Sequence, residues 1–109
     1  MTRKFVYTAL FRTCWKAMGL GDGELRVVED VLLKNPKLGD VIEGCGGARK
    51  IRMQLEGRGK RGGGRIIYLD VYETESIHML FAYPKSIQSD LTPKERNIVR
   101  HMVEQIHKE

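Results

Sequence analysis

The chain has 109 residues, 41% hydrophobic and 30% charged, with 19 Lys and Arg against 14 Asp and Glu and a formal net charge of +5 at pH 7; that suffices for one core and a single domain over residues 1–109, not for two. Cys14 and Cys45 form no CxxC pair and lie beside no His, which argues against a zinc site or a disulfide framework and for a reducing, cytoplasmic setting. The apolar stretch near the N-terminus, interrupted at Thr8 and closed by Arg12, is too short for an export signal or a membrane span.

In chain order, Phe5, Val6 and Tyr7 form a short first strand, and Thr8 caps a helix to about Met18 with Leu10, Phe11, Cys14, Trp15 and Met18 at helical spacing. Trp15, the large residue of that apolar face, reads as core rather than as a platform for a base. Asp22 caps a second helix in which Leu25, Val28, Val31 and Leu32 recur at three- and four-residue steps until Asn35-Pro36 stops it. Turns at Leu38-Gly39-Asp40 and Gly44-Cys45-Gly46-Gly47 then lead into a basic segment.

That segment, residues 48–65, reads ARKIRMQLEGRGKRGGGR and holds seven of the nineteen basic residues and one acid, Glu56, leaving twelve bases against thirteen acids elsewhere. The positive charge is therefore local, the footprint expected for a phosphate backbone rather than for general solubility. Residues 49–55 alternate as a strand, with Ile51, Met53 and Leu55 on one face and Lys50, Arg52 and Gln54 on the other. Residues 57–64 form a glycine-rich hairpin loop bearing Arg58, Lys60 and Arg61, and Arg65 begins the returning strand, which runs to Tyr72. Residues 77–83 are apolar on both faces and predict an inner strand, ended by Pro84 with Lys85 at its exit. Thr92-Pro93-Lys94-Glu95 is a capping box with proline at the first helical position, and Ile98, Val99, Met102, Val103 and Ile106 give the last helix one apolar stripe. The order is β-α-α-β-β-β-α, an α+β fold.

Several sharper motifs fail on context. Gly57-x-Gly59-x-x-Gly62 precedes a strand rather than a helix, so it is no dinucleotide fingerprint, and Gly59-Lys60 lacks the spacing and hydroxyl of a phosphate-binding loop. His78, His101 and His107 do not share a face, the acids near the cluster are scattered among cations, and neither Ser nor Cys has a His partner at a signature spacing. No metal and no cofactor is expected. An enzyme built from this cluster would act on RNA, whose own 2′-OH attacks the adjacent phosphorus once a base takes its proton. Arginine cannot be that base at neutral pH. Lys50 is held on a strand while Lys60 lies in the loop, so Lys50 is the better base, and its neighbours Arg49 and Arg52 repel its charge. Arg65 is placed for bidentate contact with the phosphate, and Lys85 joins if the strands bring their ends together.

The runs Asn35-Pro36-x-x-Gly39-Asp40-x-Ile42-x-Gly44-x-Gly46-Gly47-x-Arg49-Lys50-x-Arg52, Gly59-Lys60-Arg61-Gly62-Gly63-x-Arg65-x-x-Tyr68, Tyr83-x-Lys85 and Leu91-Thr92-x-x-Glu95 together resemble the RelE/HigB superfamily of bacterial toxins, on its HigB side, over essentially the whole chain. The resemblance implies a RelE-like fold with a small, mainly antiparallel four-stranded sheet, two N-terminal helices and a C-terminal helix. It also implies the toxin of a type II toxin-antitoxin pair, an mRNA endoribonuclease working on the translating ribosome and neutralised by a cognate protein antitoxin, expected to be a small helix-turn-helix protein. By matching motif, Lys50, Arg52, Arg65 and Lys85 take the catalytic positions; Arg49, the loop cations Arg58, Lys60 and Arg61, and Tyr83 are the expected RNA contacts. RelE toxins use a tyrosine a few residues past the last basic position; residues 86–97 here contain none, which leaves Lys85 or an arginine–phosphate contact to meet the leaving oxygen. A same-fold toxin that inhibits gyrase by protein contact and a non-catalytic nucleic-acid-binding module are the alternatives.

Overall fold

The computed structural model describes residues 3–54 and 63–108. The elements run β1 (Lys4–Tyr7), α1 (Ala9–Ala17), α2 (Asp22–Lys34), β2 (Asp40–Val41), β3 (Arg49–Gln54), β4 (Gly63–Val71), a 3₁₀ turn (Tyr72–Thr74), β5 (Ser76–Pro84) and α3 (Pro93–Lys108). The strands form one sheet in the order β1-β5-β4-β3-β2, antiparallel except for the β1–β5 pair, which is parallel.

The expected four-stranded sheet is thus a five-stranded one. The added strand, β2, is two residues long and exposed on both; so short a piece has no alternation to read, and it lies where the pattern suggests only a turn. β4 starts at Gly63 rather than at Arg65, which places Arg65 inside a strand. The second helix starts at Asp22, with Gly21 in the capping position and its N–H held by Glu24 Oε1 at 2.8 Å.

The strand period sorts two cores onto the two faces of the sheet. Phe11 and Trp15 from α1 and Val28 and Leu32 from α2 cover Ile51, Ile66, Tyr68, Ile77 and Met79. Val99 and Val103 from α3 cover Ile67, Leu69, Leu80, Phe81 and Tyr83 on the other face. Gly46, at φ +67°, admits this helix, since a Cβ there would stand 2.7 Å from Val103 Cγ1. Trp15 is core as expected, and its indole N–H donates to Gly21 O at 3.1 Å.

The register between β4 and β5 runs Ile67↔Phe81 and then Tyr68↔Met79, so Leu80 is an extra residue on β5. A β-bulge of this kind leaves a carbonyl without a ladder partner. Thr8 supplies one: its Oγ1 donates to Leu80 O at 2.9 Å and accepts from Phe11 N at 2.9 Å, so one hydroxyl caps α1 and ties it to the bulge. Replacing Thr8 with Ala should cost about 1–2 kcal/mol from the lost cap alone. Urea unfolding should show that loss as a lowered midpoint at unchanged slope; an unchanged midpoint would mean that the bulge carbonyl and the helix end are satisfied without Thr8.

Candidate functional site

The site begins with the β3–β4 register. Arg52 pairs directly with Arg65 and Lys50 with Ile67, while Arg65 pairs on its other side with Tyr83 of β5. Side chains of directly paired residues share a face, so Arg52, Arg65 and Tyr83 make a row across three strands on the α3 side, with Lys50 in the next row. Lys85 stands one residue beyond β5 at the same end, exposed, with its backbone N–H bonded to Gly63 O at 3.0 Å.

A cleft of about 340 Å³ opens between these strands and the preceding turn, lined by Leu38, Gly39, Asp40, Lys50, Ile51, Arg52, Arg65 and Ser89. The turn is pinned from the opposite face of the sheet. Tyr68 Oη donates to Pro36 O at 2.8 Å and accepts from Gly39 N at 2.9 Å, and Arg49 Nη1 donates to Gly39 O at 2.8 Å and to Lys37 O at 3.2 Å. Gly39 has no room for a side chain, because a Cβ would lie 2.7 Å from Ile51 Cγ2 and 2.8 Å from Lys50 O. Arg49 therefore does not join Lys50 and Arg52; it faces the other way and holds the cleft wall. Arg58, Lys60 and Arg61 lie outside the described residues.

Two features of the row run against stability. Arg65 is 6% exposed, yet among the described residues no carboxylate pairs with it, and the side-chain hydrogen bond it makes there, Nη1 to Gly64 O, is long at 3.4 Å. Tyr83 is 3% exposed and its hydroxyl has no hydrogen-bond partner among the described residues. A buried cation without a counter-ion and a buried hydroxyl without a partner each carry a desolvation cost, and cations directly opposite on a sheet repel. Burial first, then the nearby Asp90 charge, pushes the Tyr83 phenol up, with Arg65 opposing. The phenol thus stays protonated at neutral pH and remains a donor.

Two residues that the sequence pattern did not single out belong to the same face. Asp90, in the loop before α3, has Oδ1 3.3 Å from Lys50 Nζ and Oδ2 3.3 Å from Arg96 Nη2. The Leu91 N–H at 2.8 Å holds the Asp90 carboxyl below the usual range, helped by Lys50 and Arg96. Lys50 is therefore paired with an acid rather than flanked by cations alone. The capping box just after it forms as expected, with Thr92 N to Glu95 Oε1 at 2.9 Å and Glu95 N to Thr92 Oγ1 at 3.1 Å. Ser76 Oγ lies 3.1 Å from His78 Nε2, at the start of β5 away from this row, while His101 and His107 are exposed on α3. Among the described residues no group of three or more His, Cys, Asp or Glu could hold a metal ion, and no helix is long and apolar enough to cross a membrane.

The row's instability is measurable. Tyr83→Phe removes the unpartnered hydroxyl and should leave stability unchanged or raise it by about 1 kcal/mol. Arg65→Met, which keeps most of the volume without the charge, should also stabilise. Urea midpoints of both variants test this; a loss of about 1 kcal/mol or more in Tyr83→Phe would show that the hydroxyl is bonded in solution.

The family described as the RelE toxin of the RelE/RelB toxin-antitoxin system matches residues 8–109. Among solved structures, a double-arginine mutant of the Escherichia coli toxin RelE in the free state superposes with a TM-score of 0.54 at 14% identity, over 82% of this chain and 90% of that one. The intact E. coli RelBE toxin-antitoxin complex gives a TM-score of 0.56 at 15% identity, over 74% of this chain and 94% of the matched chain. At such identities the likeness is one of fold.

Proposed function

Since the chain belongs to the RelE family of toxins from toxin-antitoxin pairs, we propose that it is an endoribonuclease that cuts mRNA on the translating ribosome, on the HigB side of that family by its motifs. The observation that carries this reading is the Arg52–Arg65 pair, two cations directly opposite on one sheet face, one of them 6% exposed and without a carboxylate among the described residues. Such an arrangement is costly in the free protein and favourable around a phosphate, whose transition-state charge a rigid guanidinium meets bidentately. A toxin acting on gyrase through protein contact has no need of it.

The substrate's 2′-OH attacks the adjacent phosphorus while its proton passes to the Lys50 amine, the one group on that face of β3 able to carry a neutral nitrogen. The bond from the 2′ oxygen to phosphorus forms, and Arg52 and Arg65 hold the equatorial oxygens of the phosphorane. Tyr83, paired with Arg65 across β4 and β5 and with its hydroxyl buried, backs Arg65 from the neighbouring strand. The bond from phosphorus to the 5′ oxygen then breaks, and the Lys85 ammonium delivers the proton to the leaving oxygen. Products are a 2′,3′-cyclic phosphate, opened by water to a 3′-phosphate, and a 5′-hydroxyl. Arg49 shapes the cleft through the 37–39 turn, and the loop cations Arg58, Lys60 and Arg61 track the flanking backbone. The chain works in the cytoplasm, and its partners are the ribosome, mRNA and a cognate antitoxin, a small helix-turn-helix protein.

Single-turnover cleavage on programmed ribosomes, with ribosome binding followed in parallel, tests the assignment. Lys50→Arg keeps the charge but not the base, so binding should hold while cleavage falls by roughly 10²–10⁴-fold. Arg65→Ala should abolish cleavage, and Arg65→Lys should lose less. On free RNA the reaction should persist in EDTA and leave 5′-hydroxyl ends; 5′-phosphate ends would rule the mechanism out. Cleavage by Lys50→Arg at the parent rate would move the base to Lys85 or Lys60.

A further inference from the structure

The Asp90 carboxylate spans two cations from different elements, Lys50 of β3 through Oδ1 and Arg96 of α3 through Oδ2, each at 3.3 Å. These cations are set apart by the width of one carboxylate, and the two free oxygens of a phosphodiester present nearly the same width with the same charge. The Asp90 side chain is 48% exposed, so solvent and solutes reach it. Arg96 Nη1 also donates to Glu43 O at 3.4 Å, which fixes its other arm and leaves Nη2 directed at the shared carboxylate. The same face carries the buried phenol of Tyr83, whose ionisation both Asp90 and Arg96 influence.

We infer that Asp90 stands in for an RNA phosphate, so that Lys50 and Arg96 form a phosphate site beside the Arg52–Arg65 pair, which the free protein fills with its own carboxylate and which RNA must take by displacing Asp90. This rests on reading the face as an RNA interface and assigns Arg96, which no motif marks, to phosphate recognition. The bond from Leu91 N to Asp90 Oδ1 at 2.8 Å is one that an asparagine oxygen can also accept, so Asp90→Asn removes the charge while retaining the local turn.

The probe is a short single-stranded 2′-O-methyl RNA, which has no 2′-OH to attack and cannot be cut, titrated against the protein over a range of salt. Asp90→Asn should bind it about two- to fivefold more tightly than the parent, the scale of one partly exposed ion pair released. The plot of log affinity against log salt should also steepen by up to about 0.7, one further phosphate contact on a single strand. Arg96→Gln added to Asp90→Asn should cancel both gains, and Arg96→Gln alone should weaken binding by a smaller factor. If Asp90→Asn keeps its fold and binds no more tightly than the parent, or if the gain survives loss of Arg96, the inference is overturned and Asp90 is a brace between the loop and β3. Should Asp90→Asn fail to fold, Asp90→Ser, which can also accept from Leu91 N, answers the same question. Cleavage enters none of these readouts, so a protein that proves unable to cut RNA would sink the endonuclease reading while a tighter-binding Asp90→Asn still upheld the phosphate site.

Discussion

A slip of one residue between β3 and β4 would turn Arg52 and Lys50 onto the face covered by α1 and α2 and leave Arg65 alone on the other. The site therefore depends on what holds that register, and the holding is done from behind. Ile51 and Ile66 pair directly and enter the core under α1 and α2. Tyr68, opposite Arg49, carries its hydroxyl through that core to the 36–39 turn, and Arg49 closes on the carbonyls of the same turn. Gly39 then sits so close to Ile51 and the Lys50 carbonyl that the turn, β3 and β4 can meet in only one way. The apolar face fixes the address, and the cationic face inherits it.

This division explains why one face tolerates what the other could not. A buried guanidinium and a buried phenol that, among the described residues, have no carboxylate and no hydrogen-bond partner respectively are held mainly by ladders on both sides of β4 and by α3. Proteins commonly break local rules of polar satisfaction where function needs a preorganised site, and the rest of the fold offsets the cost. Here the offset is visible in β4, where Ile66, Ile67, Tyr68 and Leu69, adjoining Arg65, are all buried.

Much of this was legible in the chain. The alternation of Ile51 and Met53 against Lys50 and Arg52 gives the correct faces, and Thr8, Thr92 and Glu95 cap as their spacing predicts. Arg49 faces with Ile51 and bonds the 37–39 turn rather than joining Lys50 and Arg52, an orientation that its parity in the strand gives and the run of cations hides. The parallel docking of β1 and the bulge at Leu80 left no local mark, since both are pairings between distant segments. Asp90 and Arg96 were missed for a similar reason. Each reads as an ordinary residue around a helix start, and only the return of the loop over β3 brings them to Lys50.

The sheet order has a consequence for how the protein comes into being. Thr8 meets Leu80 across a separation of 72 residues, and β5, paired with β1 on one edge and β4 on the other, also bears Tyr83 and leads to Lys85. A nascent chain that has made everything through β4 has its arginines but no strand to join its two halves, and so distant a contact forms late because its loop must close first. The cationic row and the closed sheet are thus finished by the same strand. Until β5 is in place the polypeptide has neither a closed sheet nor the full row across it, and it gains both together.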